Sequence, residues 1–134
     1  MKAPEITKEV MQRANIGSRT AADNAIRATL ETLSEHLTEG TADNLAAQLP
    51  EEIAVYLQQP YAGIGDRFSL DEFFQRVSQR EGVGLQEATL HARVVDAVLA
   101  EAVTAGELDN FKSQLPPDLA QLFNVQNEGE LPAL

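Results

Sequence analysis

Two stretches of the chain, at a shift of 66 positions, share one pattern and decide the fold: LAAQLPEEIAVYL at residues 45–57 and FKSQLPPDLAQLF at residues 111–123. Both place Gln-Leu-Pro between two short apolar segments. Further matches follow at the same shift and in the same order: Ala22 with Ala88, Arg27 with Arg93, Leu33 with Leu99, Glu35 with Glu101 and Gly40 with Gly106. So many matches in order predict that the chain contains one structural unit twice.

The apolar residues of each copy recur with the period of a helix. The first helix of the second copy is predicted to begin after the capping box Ser69–Glu72. A longer helix is predicted from about Thr20 to Leu37, and Gly40 and Gly106 are expected to close the two long helices in a left-handed conformation. Short helices on either side of Pro50 bring the number to about four per copy.

No stretch alternates with the period of a strand, so the predicted fold class is all-α. A single helical domain over residues 1–134 is expected, consisting of repeat 1 (5–58), a linker (59–67), repeat 2 (68–123) and a tail (124–134). Because one copy of about 55 residues can bury little core alone, the two roughly four-helix units are expected to pack face to face with pseudo-twofold symmetry. Gly63 and Gly65 are expected to make the linker flexible.

Composition and charge exclude several classes of function. The 134 residues include 10 Lys and Arg against 21 Asp and Glu, giving a formal net charge of −11, and no Cys. Without Cys, disulfide scaffolds, zinc fingers and thiol nucleophiles are excluded. The acidic balance argues against nucleic acid as a partner. No apolar run approaches the ~20 residues of a membrane span, and the N-terminus lacks a secretory signal, so a cytoplasmic protein without a membrane partner is expected.

The doubled unit resembles a known family. Gln-Leu-Pro closes each half, and FSLDEFFQRV at residues 68–77 opens the second. In these motifs the chain resembles the uncharacterised family of small helical bacterial proteins called domain of unknown function 2267, over about residues 5–123. The resemblance implies a helical fold. The family carries no assigned activity or catalytic residues, so no functional residue follows from it.

The sequence contains no recognisable catalytic or metal-binding motif. No nucleophile elbow, His-Glu-x-x-His motif or phosphate-binding loop is present. The two histidines, His36 and His91, are not repeat partners, and neither follows a Glu at the spacing of helical di-iron sites. The helical stripe Glu31, Glu35 and Glu39 is interpreted as a solvated face. The sequence therefore predicts no catalytic residue, no metal ligand and no cofactor, and the chain is not expected to be an enzyme.

Polar residues that recur in both copies are the candidate interface residues. Arg27 and Arg93 interrupt apolar helices, and Glu35 and Glu101 are acidic in both copies. One interpretation is structural, with each arginine paired to a carboxylate or carbonyl across the interface. The other is a binding groove where the copies meet, with both arginines at its mouth. His91 lies in a largely apolar helix, where it is either hydrogen-bonded to the backbone or ligates a haem iron.

Two functions from different classes remain. The leading hypothesis is a non-enzymatic protein-binding or scaffold module, because residues 28–66 contain seven acids and no Lys or Arg, which suits a basic partner surface. The alternative is a carrier of a small molecule or haem, with its site between the two repeats. The sequence does not fix an oligomeric state.

Overall fold

The computed structural model describes residues 1–123, and the predicted tail lies outside the described residues. Within this part of the chain all regular elements are helical, as predicted. The α-helices are α1 (Ala3–Arg13), α2 (Arg19–His36), α3 (Glu39–Ala46), α4 (Glu51–Ala54), α5 (Leu70–Glu81), α6 (Leu85–Ala102), α7 (Ala105–Lys112) and α8 (Pro117–Ala120). Short 3-10 helices, Val55–Leu57 and Gln121–Phe123, follow α4 and α8 directly.

The order and lengths of the helices recur along the chain. Helices α2 and α6 each have 18 residues, α3 and α7 each have 8, and α4 and α8 each have 4. Each of these pairs begins at positions that differ by the shift found in the sequence. Helix α1 has 11 residues and α5 has 12. The elements therefore recur with the spacing of the sequence repeat.

Side-chain caps fix several helix starts. The hydroxyl of Ser69 accepts a hydrogen bond from the Glu72 backbone N–H (3.1 Å), which confirms the predicted start of α5. Ser18 caps α2 in the same way through the Ala21 N–H (3.1 Å). Both caps satisfy backbone donors that the first turn of a helix leaves free.

The prediction that Gly40 and Gly106 close the long helices is wrong. They lie inside α3 and α7, and neither has a positive φ. The reason is that α2 passes into α3 through extended Leu37, so the next helix begins before a left-handed residue is needed. The left-handed closure occurs instead at Gly82 (φ 77°), after α5.

The linker is hydrogen-bonded to the end of α2, contrary to the expectation of a flexible connection. The backbone N–H groups of Gly63, Gly65 and Asp66 donate to the carbonyls of Ser34, Leu37 and Glu35 at 2.9, 3.0 and 2.8 Å. These carbonyls are among those that a helix end leaves without an internal partner. The linker therefore completes the hydrogen bonding of α2.

One core extends through both copies. Helices α2 and α6 pack against each other, and both α1 and α5 pack against each member of that pair. The largest fully buried side chains come from both halves: Phe73, Phe111, Phe123, Ile26, Leu30, Leu33, Leu45, Leu57 and Leu119. A seam between the copies is thus part of the core. Among the described residues no helix is both long and apolar enough to cross a membrane.

Candidate functional site

Two ion pairs join the copies through residues that match in the repeat. Arg13, in α1, donates two hydrogen bonds to Glu101 in α6, from Nη1 to Oε2 (2.6 Å) and from Nη2 to Oε1 (2.9 Å). Arg80, in α5, places Nη1 2.7 Å from Oε1 of Glu35 in α2. Each pair connects the first helix of one copy to the second helix of the other. Glu35 and Glu101 therefore lie at the interface between the copies.

Glu35 is not part of a solvated stripe. Only 12% of its side chain is exposed, and Arg76 Nη1 also lies 3.6 Å from its Oε1. Arg80 Nη1 directs its hydrogen bond at the hydroxyl of Thr32 (2.7 Å), so the contact with Glu35 is an ion pair without an aligned hydrogen bond. The Glu35 carboxylate thus lies within ion-pair distance of two arginines of α5.

Arg27 is also bound across the interface. Its Nη1 donates to Glu31 Oε1 (3.0 Å), and its Nη2 donates to the backbone carbonyl of Arg80 (3.1 Å). Glu31 Oε1 lies 3.9 Å from Nε of Arg80 as well. The structural interpretation expects a carboxylate or a carbonyl across the interface, and for Arg27 that partner is the carbonyl of Arg80, whereas Glu31 lies in the same helix.

Arg93 lies in a different environment from Arg27. It lines a groove of about 510 Å³ between α5 and α6, within the second copy. Its guanidinium carbon is 5.4 Å from the centroid of the Phe74 ring, and its buried Nε has no hydrogen-bond partner among residues 1–123. Burial lowers the pKa of Arg93, and nearby Asp96 opposes that shift. The structure therefore does not bring Arg27 and Arg93 together at one mouth.

The groove is mainly apolar and open. Its principal lining residues are Leu70, Asp71, Phe74, Leu85, Thr89 and Arg93. Leu85, the first residue of α6, is 51% exposed. Asp71, in the first turn of α5, is the acidic residue of the lining. The site thus combines an apolar floor, one carboxylate and one inward arginine.

The first copy has polar side chains where the second has this groove. Thr7 and Asp23 match Phe74 and Thr89 in the repeat, and the Thr7 hydroxyl donates to Asp23 Oδ1 (2.9 Å) between α1 and α2. The position of Leu85 is taken by Arg19. The apolar floor and the exposed leucine are therefore features of the second copy.

His91 contacts a carboxylate instead of the backbone. The residue is 7% exposed in α6, and its Nδ1 contacts Oε2 of Glu81, the last residue of α5. The Glu81 side chain is itself only 3% exposed. This buried pair ties α5 to α6, and it places one ring nitrogen of His91 in a protein contact.

Sequence reasoning missed two buried polar side chains. Asp96, in α6, is fully buried, and neither carboxyl oxygen has a hydrogen-bond partner among the described residues. Burial raises its pKa well above the usual range, against the opposing effect of Arg93. His36, at the end of α2, is 3% exposed and its ring packs edge-on to Phe68 (5.1 Å between centroids). The sequence does contain a signal for the burial of Asp96, because the repeat aligns this residue with Leu30, an apolar position of the long helix.

Fold and site together define an all-helical protein with helices that recur at a fixed spacing and an apolar groove in the second half. Within residues 1–123, no three His, Cys, Asp or Glu side chains are grouped to hold a metal ion. Residues 3–122 match the family described as uncharacterized conserved protein, DUF2267, and the chain belongs to this family. No curated protein matches the sequence.

Proposed function

We propose that the protein is a non-enzymatic binding module whose α5–α6 groove takes the apolar face of a basic amphipathic helix from another protein. The observation that carries this proposal is the open apolar groove with Leu85 half exposed at its edge. A helix docks in such a groove through apolar side chains at positions i, i+3 and i+4. Phe74 and Leu70 supply the surface that those side chains would cover.

Charge supports a basic partner. The formal net charge is −11, and Asp71 lines the groove. Lysines or arginines flanking the partner's apolar face would pair with Asp71, and long-range attraction to the acidic chain would speed their encounter. The same acidity makes nucleic acid an unfavourable ligand. We place this activity in the cytoplasm.

We further infer that the two repeats are related by a pseudo-twofold axis. Support comes from the matched ion pairs Arg13–Glu101 and Arg80–Glu35, each of which joins the first helix of one copy to the second helix of the other. The packing of both α1 and α5 against the α2–α6 pair has the same exchange symmetry. In such an arrangement one copy can diverge at its α1–α2 or α5–α6 face without disturbing the seam.

Site-specific photocrosslinking tests the groove. A benzoylphenylalanine is placed at Leu85 in the full chain, in cells that naturally make the protein, and at Val55 as the matched control. Val55 is 48% exposed and lies in the first copy. We expect crosslinks at position 85 to map to a basic amphipathic segment of one partner. A synthetic peptide of that segment should bind the purified chain, and Leu85→Glu should weaken binding about tenfold or more, whereas Val55→Glu should not.

Three results would count against this function. Equal crosslinking at positions 85 and 55 would show a nonspecific surface. A captured segment without an apolar face or without basic residues would contradict the stated chemistry of the partner. Unchanged peptide affinity in Leu85→Glu would show that the groove is not the binding site.

A small-molecule carrier is the second candidate function, and a separate observation favours it. A polar pocket lies where the linker meets both copies, which is the predicted position for a carrier site. His91 does not carry this alternative, because it lies between α5 and α6 in contact with Glu81. The histidine that lines this pocket is His36, not His91.

A further inference from the structure

The pocket between the copies has a volume of about 250 Å³. It is lined by the end of α2, the linker and the segment after α7, through His36, Thr38, Gly65, Arg67, Ser113 and Gln114. About 10–15 Å³ of such space is enough for one water molecule, so the pocket has room for a small organic molecule. The lining is polar, unlike that of the α5–α6 groove.

His36 points to a ligand because its polar atoms are buried without partners. The residue is 3% exposed, and neither ring nitrogen has a hydrogen-bond partner among residues 1–123. Burial and then the charge of Arg67 lower its pKa, against the opposing effects of the Phe68 backbone, which approaches the ring without reaching hydrogen-bond geometry, and of Asp66 and Asp118. The neutral ring offers one donor and one acceptor. The two nitrogens point to different sides of the ring, so one ligand hydroxyl can pair with one of them, either by donating or by accepting.

Arg67 supplies an unpaired positive charge at the same pocket. Its guanidinium has no hydrogen bond or ion pair within the described part of the chain. The neighbouring carboxylates are engaged elsewhere: Asp66 Oδ2 accepts from Arg76 Nη2 (3.1 Å), and Asp118 Oδ1 accepts from the Leu119 backbone N–H (2.9 Å). A guanidinium fork binds a carboxylate through two parallel hydrogen bonds.

The far wall of the pocket is held in place by hydroxyl contacts between the copies. The hydroxyls of Thr38 and Thr41 lie 3.0 Å apart, and Thr41 donates to the side-chain oxygen of Gln114. This chain of contacts fixes the start of α3 against the segment after α7. A pocket with a fixed wall binds at lower entropic cost than one that must be ordered by its ligand.

We propose that this pocket binds a small hydroxycarboxylate, with its carboxylate on Arg67 and its hydroxyl on His36. A monoanion of this class fits the space, matches the positive charge of Arg67 and gives one buried ring nitrogen of His36 a hydrogen-bond partner. The pocket shares no lining residue with the α5–α6 groove, so this site does not depend on the protein-binding function.

Ring signals of the two histidines provide the test. The full chain contains only His36 and His91, so a ¹³C-histidine NMR spectrum gives two sets of ring signals, which His36→Gln or His91→Gln assigns. We expect sodium glycerate to shift the His36 signals saturably and to leave His91 unmoved. Propionate, which lacks the hydroxyls, should bind about tenfold more weakly, because the buried ring of His36 then stays unpaired. Inorganic phosphate tests whether the pocket takes any oxyanion, and we expect it to bind more weakly than glycerate.

Matched arginine variants complete the experiment. Arg67→Gln should weaken glycerate binding about tenfold or more, whereas Arg19→Gln, at the opposite end of α2, should not change it. The groove variant Leu85→Glu should also leave the glycerate response intact. The proposal is overturned if the His36 signals do not move, if both histidines shift together, if propionate or phosphate binds as tightly, or if Arg67→Gln has no effect.

Discussion

Asp96 occupies the position in the second copy that Leu30 occupies in the first, and both side chains are fully buried. Burial raises the pKa of the Asp96 carboxyl well above its usual range, because it disfavours the charged form, and the charge of Arg93 opposes this shift. The folded protein therefore holds a proton that the unfolded chain releases above a pKa of about 3.9. Folding stability is thus coupled to pH at this residue.

The sign of that coupling gives the first residue-scale prediction. A folded-state pKa above the unfolded value contributes stability that is fully present below about pH 4 and is lost as pH rises through the folded-state pKa. The free energy of unfolding of the native chain should therefore fall relative to Asp96→Asn between about pH 5 and about pH 7, by up to ~1.4 kcal/mol per pH unit. Urea unfolding of both proteins across this range measures the difference.

Asp109→Asn is the control for this comparison, because Asp109 is an exposed residue of α7. His36 has a pKa lowered by burial and so destabilises the fold as pH falls below about 6.5, but this effect is common to all three proteins. An identical pH dependence for the native chain and Asp96→Asn would show that Asp96 does not hold a proton in the folded state.

Gly63 gives the second residue-scale prediction, since two separate constraints act on it. Its φ is +80°, and an added Cβ would lie 2.7 Å from the Cα of Glu39, which is backbone and cannot move aside cheaply. Gly65 also has a positive φ (+67°) but has open space around it. Gly65→Ala should cost roughly 1–2 kcal/mol for the left-handed backbone alone. Gly63→Ala should cost clearly more, as measured by the midpoint of denaturant unfolding, and equal losses would contradict the close approach to Glu39.

At the scale of elements, the contact between α1 and α6 is held by a bidentate pair. Arg13 and Glu101 are each about a quarter exposed, at 22% and 25% of their side chains, so solvent weakens their attraction. A double-mutant cycle with Arg13→Gln and Glu101→Gln should give a coupling energy of about 0.5–1 kcal/mol that shrinks in high salt. The cycle with Glu9, which lies 3.4 Å from Arg13 within α1, is the control and should give a smaller value. A larger coupling energy for Arg13 with Glu9 than with Glu101 would mean that Arg13 interacts mainly within α1, and that its pair with Glu101 does not hold α1 against α6.

The helices were predictable from sequence because their signals are local. The capping box at Ser69–Glu72 and the apolar period specify helix starts and faces without reference to the rest of the fold. The ends of α2 and α6 were not predictable in this way, since a glycine near a helix end does not show whether another helix begins first. The linker contacts depend on three residues meeting α2 from a distant part of the chain, and no local pattern encodes that approach.

The candidate sites show the same limit. Arg93 was identified from the repeat, but its groove depends on how α5 and α6 pack, and Arg27 at the matching position is instead paired with Glu31. His36 was passed over because a lone histidine carries no spacing signal. Its burial and unpaired nitrogens become visible only when the linker and the second copy are placed around it.

At the scale of the whole molecule, the two copies share their core. Each of α1 and α5 packs on both long helices, so each half buries its apolar surface partly against the other half. This interleaving follows from the small size of each copy, which cannot bury enough surface alone. Because the shared core lies between the copies, their outer faces can differ. The first copy has the polar Thr7–Asp23 contact where the second has the apolar groove around Phe74.

The hydrogen bonds between the linker and α2 determine where the first half of the chain can be divided from the second. A fragment cut at Gln58 would match the duplicated sequence but would leave the carbonyls of Ser34, Glu35 and Leu37 without their linker donors. The sequence repeat and the hydrogen-bonded segment that completes α2 therefore have different boundaries. A circular permutation or an exchange of copies would have to carry residues 59–67 along with α2, and new termini would be better tolerated where the backbone makes no such bonds.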